Sequence, residues 1–172
     1  MNDNGNLRIA LTGFMGVGKS SVARHLSHLL RCRRLDLDLL IEERAGRTIA
    51  ELIDSIGIDE FRLVESEVLA GVVAEPGPCI LSLGGGTWTV EANRLAIRSA
   101  GYRSIWLESS FEHCWYNIRS SRKERPLARS KHDARRLFDE RQRVYCLADS
   151  HFIVRPEFTS FEIARQIVEE LG

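Results

Sequence analysis

The sequence has no long apolar segment and no net charge, and each absence excludes a class of protein. No apolar run approaches the roughly 20 residues that a membrane-spanning helix needs. The 24 lysines and arginines balance 24 acidic residues, so the broad basic surface of a nucleic-acid-binding protein is missing. Residues 1–5 are polar and lack the apolar core of a signal peptide. We therefore expect a cytoplasmic protein without nucleic-acid or membrane partners.

Cysteine is scarce and scattered. The chain has four, with no CxxC pair among them: Cys32, Cys79, Cys114 and Cys146. This spacing gives no support to a zinc site or a thioredoxin-like redox motif. Without a signal peptide, scattered cysteines favour a reducing compartment, and we expect buried, unreactive thiols.

Length and hydrophobic pattern predict one α/β domain over residues 1–172. A chain of 172 residues with 44% apolar residues can bury roughly 70% of its unfolded surface without disulfides. Short apolar segments alternate with segments of helical period. Strands are predicted at 7–12, 34–36, 79–83, 104–107 and 151–154. Helices are predicted at 19–30, 39–45, 59–75, 90–100, 110–119 and 133–149, with capping boxes at Thr48 and Thr159 starting two more. Such alternation indicates a parallel sheet with helices on both faces.

Residues 13–20, Gly-Phe-Met-Gly-Val-Gly-Lys-Ser, match the phosphate-binding pattern GxxxxGK[ST]. They follow a predicted strand and precede a predicted helix, which is the context that the motif requires. The glycines let backbone N–H groups approach phosphate oxygens, and the helix start adds a positive dipole end. Lys19 would neutralise the β- and γ-phosphates, and the Ser20 hydroxyl would bind Mg²⁺. The segment predicts a nucleoside triphosphate site from which the γ-phosphoryl group is transferred.

Two acids, Asp36 and Asp38, follow the second predicted strand. At the carboxyl edge of the sheet they would lie beside the phosphate loop. One can hold the water shell of the metal, and the other can orient and deprotonate an attacking hydroxyl. The alternative is that they cap the following helix. An acid that serves the metal usually follows such an apolar strand, but residues 80–83 contain only Ser82 as a polar residue. This absence strengthens the prediction that Asp36 serves the metal.

Arginines and glycines provide candidates for the acceptor site. The triple glycine at residues 84–86 follows a buried strand and exposes backbone amides to a ligand. Together with Arg62 it favours an anionic or hydroxyl-rich substrate, although alone Arg62 could form a surface salt bridge. Arg125, in a polar loop at about 120–132, would close over the phosphate, and Arg141 is a second clamp on the substrate anion. Trp88, two residues past the glycines, is a candidate lining residue.

Taken together, these motifs resemble the shikimate kinase family over essentially the whole chain. The resemblance rests on their order and spacing: residues 13–20, Asp36-Leu37-Asp38, Ile41-Glu42, Gly46, Gly57, Glu60-Phe61-Arg62, Glu65, Leu83-Gly84-Gly85-Gly86, Arg125-Pro126-Leu127, Arg141 and Tyr145. It implies a three-layer P-loop NTPase fold like that of nucleoside monophosphate kinases. That fold has a five-stranded parallel sheet, a mobile lid at about 120–132 and a substrate-binding region at about 37–65. It also implies a monomer that phosphorylates shikimate with Mg·ATP on the route to chorismate.

The resemblance also implies roles for individual residues. Lys19, Asp38 and Arg125 would be catalytic, and Ser20 and Asp36 would serve Mg²⁺. Nucleotide contacts would come from Gly16, Val17, Gly18, Lys19, Ser20, Ser21, Arg119 and Arg125, with Arg119 packing on adenine. Substrate contacts would come from Asp38, Arg62, Gly84, Gly85, Gly86 and Arg141.

Two alternatives stay open at the level of the sequence. A related kinase could act on gluconate or a nucleoside monophosphate, although paired arginines suit a carboxylate better than a base. A non-catalytic ATP-binding relative is the other alternative. Such a protein would have no use for an acceptor base at Asp38.

Overall fold

The computed structural model describes residues 7–74 and 77–172, which form a parallel sheet flanked by helices. Five strands pair in the order β2-β3-β1-β4-β5, and every pairing is parallel. Their bounds are β1 Ile9–Thr12, β2 Arg34–Asp36, β3 Ile80–Ser82, β4 Arg103–Glu108 and β5 Ser150–Ile153. The predicted five-stranded parallel sheet is therefore confirmed.

Eight helices connect and cover these strands within the described residues. They are α1 Lys19–Leu29, α2 Leu37–Ala45, α3 Ile49–Ile56, α4 Ile58–Ala74, α5 Glu91–Ser99, α6 Phe111–Ser120, α7 Lys131–Tyr145 and α8 Ser160–Leu171. Two short 3₁₀ turns add Thr87–Thr89 and Pro126–Ala128. The predicted end of α4 at Glu75 lies outside the described residues. No helix in 7–74 or 77–172 is long and apolar enough to cross a membrane.

The largest difference from the predicted helices is the end of α7, which was expected at residue 149. The helix ends at Tyr145, and the chain continues in turns in which Ala148 N–H donates to Tyr145 O at 3.0 Å. Asp149 instead accepts hydrogen bonds from the N–H and hydroxyl of Ser104 in β4, at 2.8 and 2.6 Å. Anchoring Asp149 to the sheet draws the chain into β5, so the helix cannot continue.

The register of the sheet brings the functional segments to one edge. In β1 all four residues are buried, as expected for the central strand of a sheet covered on both faces. Leu11 pairs with Ser82, and Ser82 pairs with Asp36. The ends of β1, β2 and β3 therefore lie level. The phosphate loop (residues 13–20), the two acids and the triple glycine consequently start from the same edge.

The prediction that the cysteines are buried holds for only part of the set. Cys114 is buried, Cys32 and Cys79 are partly buried, and all are free thiols. Cys146 is exposed, so the prediction of buried cysteines is wrong for this residue. The reason is the early end of α7, which leaves Cys146 in the turn that follows.

Both predicted capping boxes are present. Thr159 N–H donates to Glu162 Oε2 at 2.7 Å, and Glu162 N–H donates to Thr159 Oγ1 at 3.2 Å. Thr48 and Glu51 make the same reciprocal pair at the start of α3. Each box satisfies backbone donors that a helix start would otherwise leave unpaired.

We predict that Thr159→Ala lowers the free energy of unfolding by about 1 kcal/mol, because α8 loses its cap. For a chain of this size that corresponds to a fall in Tm of roughly 2–4 °C. Thermal or urea unfolding measures the change, and Thr159→Ser, which keeps the hydroxyl, is the matched control. An alanine variant as stable as the parent would show that the box contributes nothing.

Candidate active site

The phosphate loop runs from β1 to α1 and needs glycine at two positions for space as well as conformation. Gly13 and Gly16 have φ angles of 146° and 80°. A Cβ at Gly13 would lie 2.7 Å from Leu107 O, and one at Gly16 would lie 2.6 Å from Cys114 O. The loop is thus held tightly between the end of β4 and α6. The predicted strand-loop-helix context is confirmed.

Lys19 lies across the loop and is 8% exposed. Its Nζ donates to Gly13 O at 2.7 Å and to Phe14 O at 3.1 Å. Burial lowers the pKa of Lys19 to about 8, while the nearby Asp38 carboxylate partly opposes that shift. The ammonium is therefore held by backbone carbonyls in a position where phosphate oxygens would restore its preference for the charged form.

Asp36 caps α2, which is one of the two alternatives that the sequence left open, and it also contacts Ser20 of the phosphate loop. Its Oδ2 accepts a hydrogen bond from Ser20 Oγ at 2.6 Å, and its Oδ1 accepts one from Leu39 N–H at 3.2 Å as the cap of α2. An all-oxygen pair suits Mg²⁺, which keeps several waters and is completed by substrate phosphates. Consistently, the described residues contain no cluster of three or more His, Cys, Asp or Glu side chains that could hold a metal alone. The residues present fit a nucleotide-bound Mg²⁺ at Ser20 and Asp36.

Asp38, in the first turn of α2, lies against the triple glycine. A Cβ at Gly84 would be 2.6 Å from Asp38 Oδ1, so only glycine allows this approach. Burial raises the pKa of Asp38, and the ammonium of Lys123, 3.6 Å from Oδ2, opposes the shift. The carboxyl is therefore less readily ionised than in water, as suits a group that accepts a proton.

Arg62 is fixed by a buried acid. Its Nη1 lies 2.7 Å from Glu65 Oε1, and the Glu65 residue is 1% exposed. Thr87 Oγ1 donates to the other oxygen, Oε2, at 2.8 Å. A Cβ at Gly86 would overlap the Arg62 guanidinium. Arg62 does form a salt bridge, but its partner Glu65 is buried and not on the surface, and Glu65 holds the guanidinium beside the glycines.

Arg141 reaches the same glycines from α7 and is 6% exposed. Its Nη1 is buried and has no hydrogen-bond partner in the described part of the chain. A Cβ at Gly85 would lie 3.0 Å from that atom, and the Tyr145 hydroxyl donates to Gly85 O. Burial lowers the pKa of Arg141. A buried, unpaired guanidinium nitrogen indicates that a ligand acceptor belongs there.

Two adjoining cavities meet at these residues. The acceptor pocket, of about 70 Å³, is lined by Asp38, Arg62, Glu65, Gly84, Gly85, Gly86, Arg141 and residues of the lid. The nucleotide cleft, of about 560 Å³, is lined by the phosphate loop and Asp36. Both cavities are lined by Met15, Asp38, Gly85, Lys123 and Arg125. A group held in the smaller cavity therefore faces the cleft across a shared wall.

Residues 123–127 of the predicted lid, at about 120–132, line the acceptor pocket. Arg125 Nε is buried and has no hydrogen-bond partner within residues 7–74 and 77–172. Arg129 Nη2 lies 3.4 Å from Asp54 in α3 and 3.3 Å from Glu124, all three being exposed. These exposed pairs hold the segment only weakly, since surface ion pairs contribute about 0–1 kcal/mol. Its mobility stays a prediction.

The structure brings together most of the residues expected in the site. The nucleotide cleft is lined by Gly16, Gly18, Lys19, Ser20, Ser21, Asp36 and Arg125. Val17 is buried, and its N–H donates to Phe14 O. Arg119 does not line the cleft; it lies in a neighbouring hollow between α6 and the lid.

The structure differs from the sequence-based expectation at four residues: Trp88 does not line the acceptor pocket, and three residues that were not expected in the cleft line it. Trp88 is fully buried, donates from Nε1 to Val144 O, and does not line the acceptor pocket. Met15, Asn117 and Lys123 line the cleft but were not expected there. Asn117 Nδ2 donates to Gly16 O at 2.8 Å across 101 residues of chain, a contact for which the sequence carries no local signal.

The phosphate loop and the arginine-lined pocket lie on either side of one carboxylate, that of Asp38. This arrangement defines a P-loop kinase that acts on a small acceptor.

Comparison with known proteins identifies the family. A family model for shikimate kinase matches residues 15–172. A shikimate kinase of Brucella canis is 36% identical over 172 residues, covering 98% of this chain and 84% of the relative. One from Streptococcus suis is 38% identical over 164 residues, covering 93% and 98%. The chain belongs to the shikimate kinase family, and the prediction of an ATP-dependent kinase is confirmed.

Solved structures agree with this assignment. A shikimate kinase from Acinetobacter baumannii in complex with shikimate superimposes with a TM-score of 0.86 at 29% identity, covering 95% of this chain and 92% of that one. A gluconokinase from Sinorhizobium meliloti gives 0.59 at 14% identity, covering 96% and 95%. A deoxyadenosine kinase from M. mycoides gives 0.66 at 13%, covering 95% and 98%. The last two share the fold alone, which confirms the predicted fold class.

We predict that Gly86→Ala raises the KM for the acceptor at least about tenfold and leaves the KM for ATP nearly unchanged. The reason is that the new Cβ displaces the Arg62 guanidinium, and a charged hydrogen bond is worth about 1.5–3 kcal/mol. Steady-state kinetics with each substrate varied measures both values. Gly71→Ala, in α4 where a Cβ meets no atom within 4 Å, is the control and should behave as the parent. Equal changes in both KM values would contradict the assignment.

Proposed function

We propose that the chain transfers the γ-phosphoryl group of Mg·ATP to the 3-hydroxyl of shikimate, giving shikimate 3-phosphate and ADP on the route to chorismate. We expect it to do so in the cytoplasm and as a monomer. The observation that carries the proposal is the arrangement of two partly or fully buried arginines, Arg62 and Arg141, on one side of Asp38, with the phosphate loop on the other.

The acceptor carboxylate is bound by Arg62 and Arg141. Glu65 holds Arg62 in place, so little side-chain entropy is lost when the ligand binds. The unpaired Nη1 of Arg141 supplies a second cationic donor. The backbone of residues 84–86 lies close enough for a ring hydroxyl to contact it, because no Cβ intervenes. Two guanidinium groups beside bare amides recognise a compact hydroxy acid better than an uncharged sugar.

Asp38 orients the attacking hydroxyl and accepts its proton. Its position in the wall between the two cavities allows an acceptor oxygen to approach the γ-phosphorus from the side opposite the leaving group. The bond between that oxygen and phosphorus forms, the bond from phosphorus to the bridging oxygen of ADP breaks, and the hydroxyl proton passes to Asp38. Catalysis in such a transfer is mainly positioning and charge stabilisation.

The phosphate side is supplied by the loop and the lid. Backbone N–H groups of Gly16 and Gly18 and the side chains of Lys19, Ser20 and Ser21 hold the phosphates. Val17, whose N–H donates to Phe14 O, maintains the conformation of the loop. Mg²⁺, when bound at Ser20 and Asp36, neutralises phosphate charge. Arg125 approaches the transferring group from the lid. Arg119 lies in the hollow beside the cleft and would have to reach the adenine from there. The lid excludes water that would otherwise take the place of the acceptor.

The test is an ADP-release assay with Mg·ATP and a panel of acceptors: shikimate, gluconate, nucleoside monophosphates and none. We expect that, of these acceptors, only shikimate supports ADP release from Mg·ATP. Adding EDTA in excess of the metal should abolish that release. Turnover on gluconate or a nucleotide instead of shikimate would replace the proposed acceptor. ATP binding without turnover on any acceptor would favour a non-catalytic relative.

We predict that Asp38→Asn lowers kcat by about 10²–10⁴, because the amide cannot accept the hydroxyl proton. The Kd for Mg·ATP should stay within about twofold of the parent. Stopped-flow or steady-state turnover and equilibrium titration provide the two values. The matched control is Asp139→Asn, which removes an exposed carboxylate of α7 that pairs with Arg135 outside both cavities. Near-normal turnover of Asp38→Asn would remove its role as the base.

A further inference from the structure

Lys123 occupies a position that the proposed reaction leaves without a role. Its Nζ lies 3.6 Å from Asp38 Oδ2, with the lysine side chain 40% exposed. It also lines both the acceptor pocket and the nucleotide cleft. A partly exposed cation that contacts the carboxylate at the wall between the two cavities can reach anionic groups on either side.

Lys123 lies at a bend in the lid. Its N–H donates to Ser121 Oγ at 3.1 Å, which anchors the start of the segment. Lys123 and Arg125 both line the two cavities, so both cations reach the shared wall from the same segment.

Asp38 cannot serve Lys123 and an acceptor hydroxyl equally well. The acceptor pocket is small, about 70 Å³, and Asp38 is already closely approached by the triple glycine on one side. Because Oδ1 faces Gly84, an acceptor hydroxyl that donates to Asp38 Oδ2 competes with the ammonium for that oxygen. The displaced cation remains on the lid beside the nucleotide cleft, where a bound triphosphate would offer it an anionic partner.

We propose that Lys123 has two partners in succession: Asp38 in the empty enzyme, and the transferring phosphoryl group once the acceptor hydroxyl has taken its place at Asp38. This inference rests on the proposed function. The lysine takes no part in proton transfer and supplies charge only. The bonds that form and break, and the transfer of the hydroxyl proton to Asp38, are those already given.

The inference makes an unusual kinetic prediction for Lys123→Met. Loss of the contact with phosphoryl should lower kcat on the order of tenfold, since a flexible lid cation contributes less than a rigid donor worth 10²–10³. Loss of the competing ion pair should tighten shikimate binding in the absence of nucleotide by about two- to fivefold, the range expected of a partly exposed pair. A merely structural lesion would weaken binding instead.

Two further variants isolate the effect. Lys123→Arg keeps the charge and should recover most of kcat, whereas it should not tighten shikimate binding. Lys131→Met removes a lysine whose only described ion pair is with exposed Glu112, at 3.1 Å, and should match the parent in both measurements. Thermal unfolding of each variant confirms that the fold is intact.

The measurements are steady-state turnover and calorimetric titration of shikimate into nucleotide-free enzyme. Lower kcat together with tighter shikimate binding supports the inference. Unchanged kcat, or unchanged or weaker binding, overturns it. Where the parent enzyme phosphorylates shikimate normally, such a result defeats only the inference. A parent that does not turn over shikimate defeats the proposed function itself.

Discussion

Three charged side chains from three different helices lie against the backbone of the triple glycine. Asp38 comes from α2, Arg62 from α4 and Arg141 from α7. Each approaches a position where a Cβ would collide with it, so the absence of side chains at 84–86 is what makes the acceptor pocket possible. The glycines follow β3, and the sheet register places them level with the phosphate loop. The geometry of both cavities depends on this close approach.

The electrostatics of the empty site follow from the same packing. Burial lowers the pKa of Lys19, Arg125 and Arg141, and it raises the pKa of Asp38 and Glu65. Charged groups held in this way are costly without a ligand, and buried arginine nitrogens remain unpaired in the described residues. In the proposed function, an anionic acceptor and a nucleotide supply the missing partners. The site is thus preorganised for charge that only the ligands bring.

The lid connects this site to the rest of the chain by weaker contacts. Arg129 meets Asp54 through exposed side chains, and Lys123 meets Asp38 at 3.6 Å. Interactions of this strength can be exchanged for contacts with ligands at little cost, unlike the buried pair of Arg62 and Glu65. A firmly held acceptor pocket beside a weakly held lid is consistent with an enzyme that must admit two substrates and then exclude water.

Local features were predictable from the sequence because their physics is local. The phosphate loop, the capping boxes and the alternation of strands and helices each depend on residues within a few positions of one another. Contacts between distant residues were decided by packing: Glu65 with Thr87, Asn117 with Gly16, and Lys123 with Asp38. So was the burial of Trp88, which neither spacing nor composition indicates. The sequence by itself determined the phosphate site and the family, whereas only the tertiary structure decided which charges meet, because long-range pairing depends on how helices pack around the sheet.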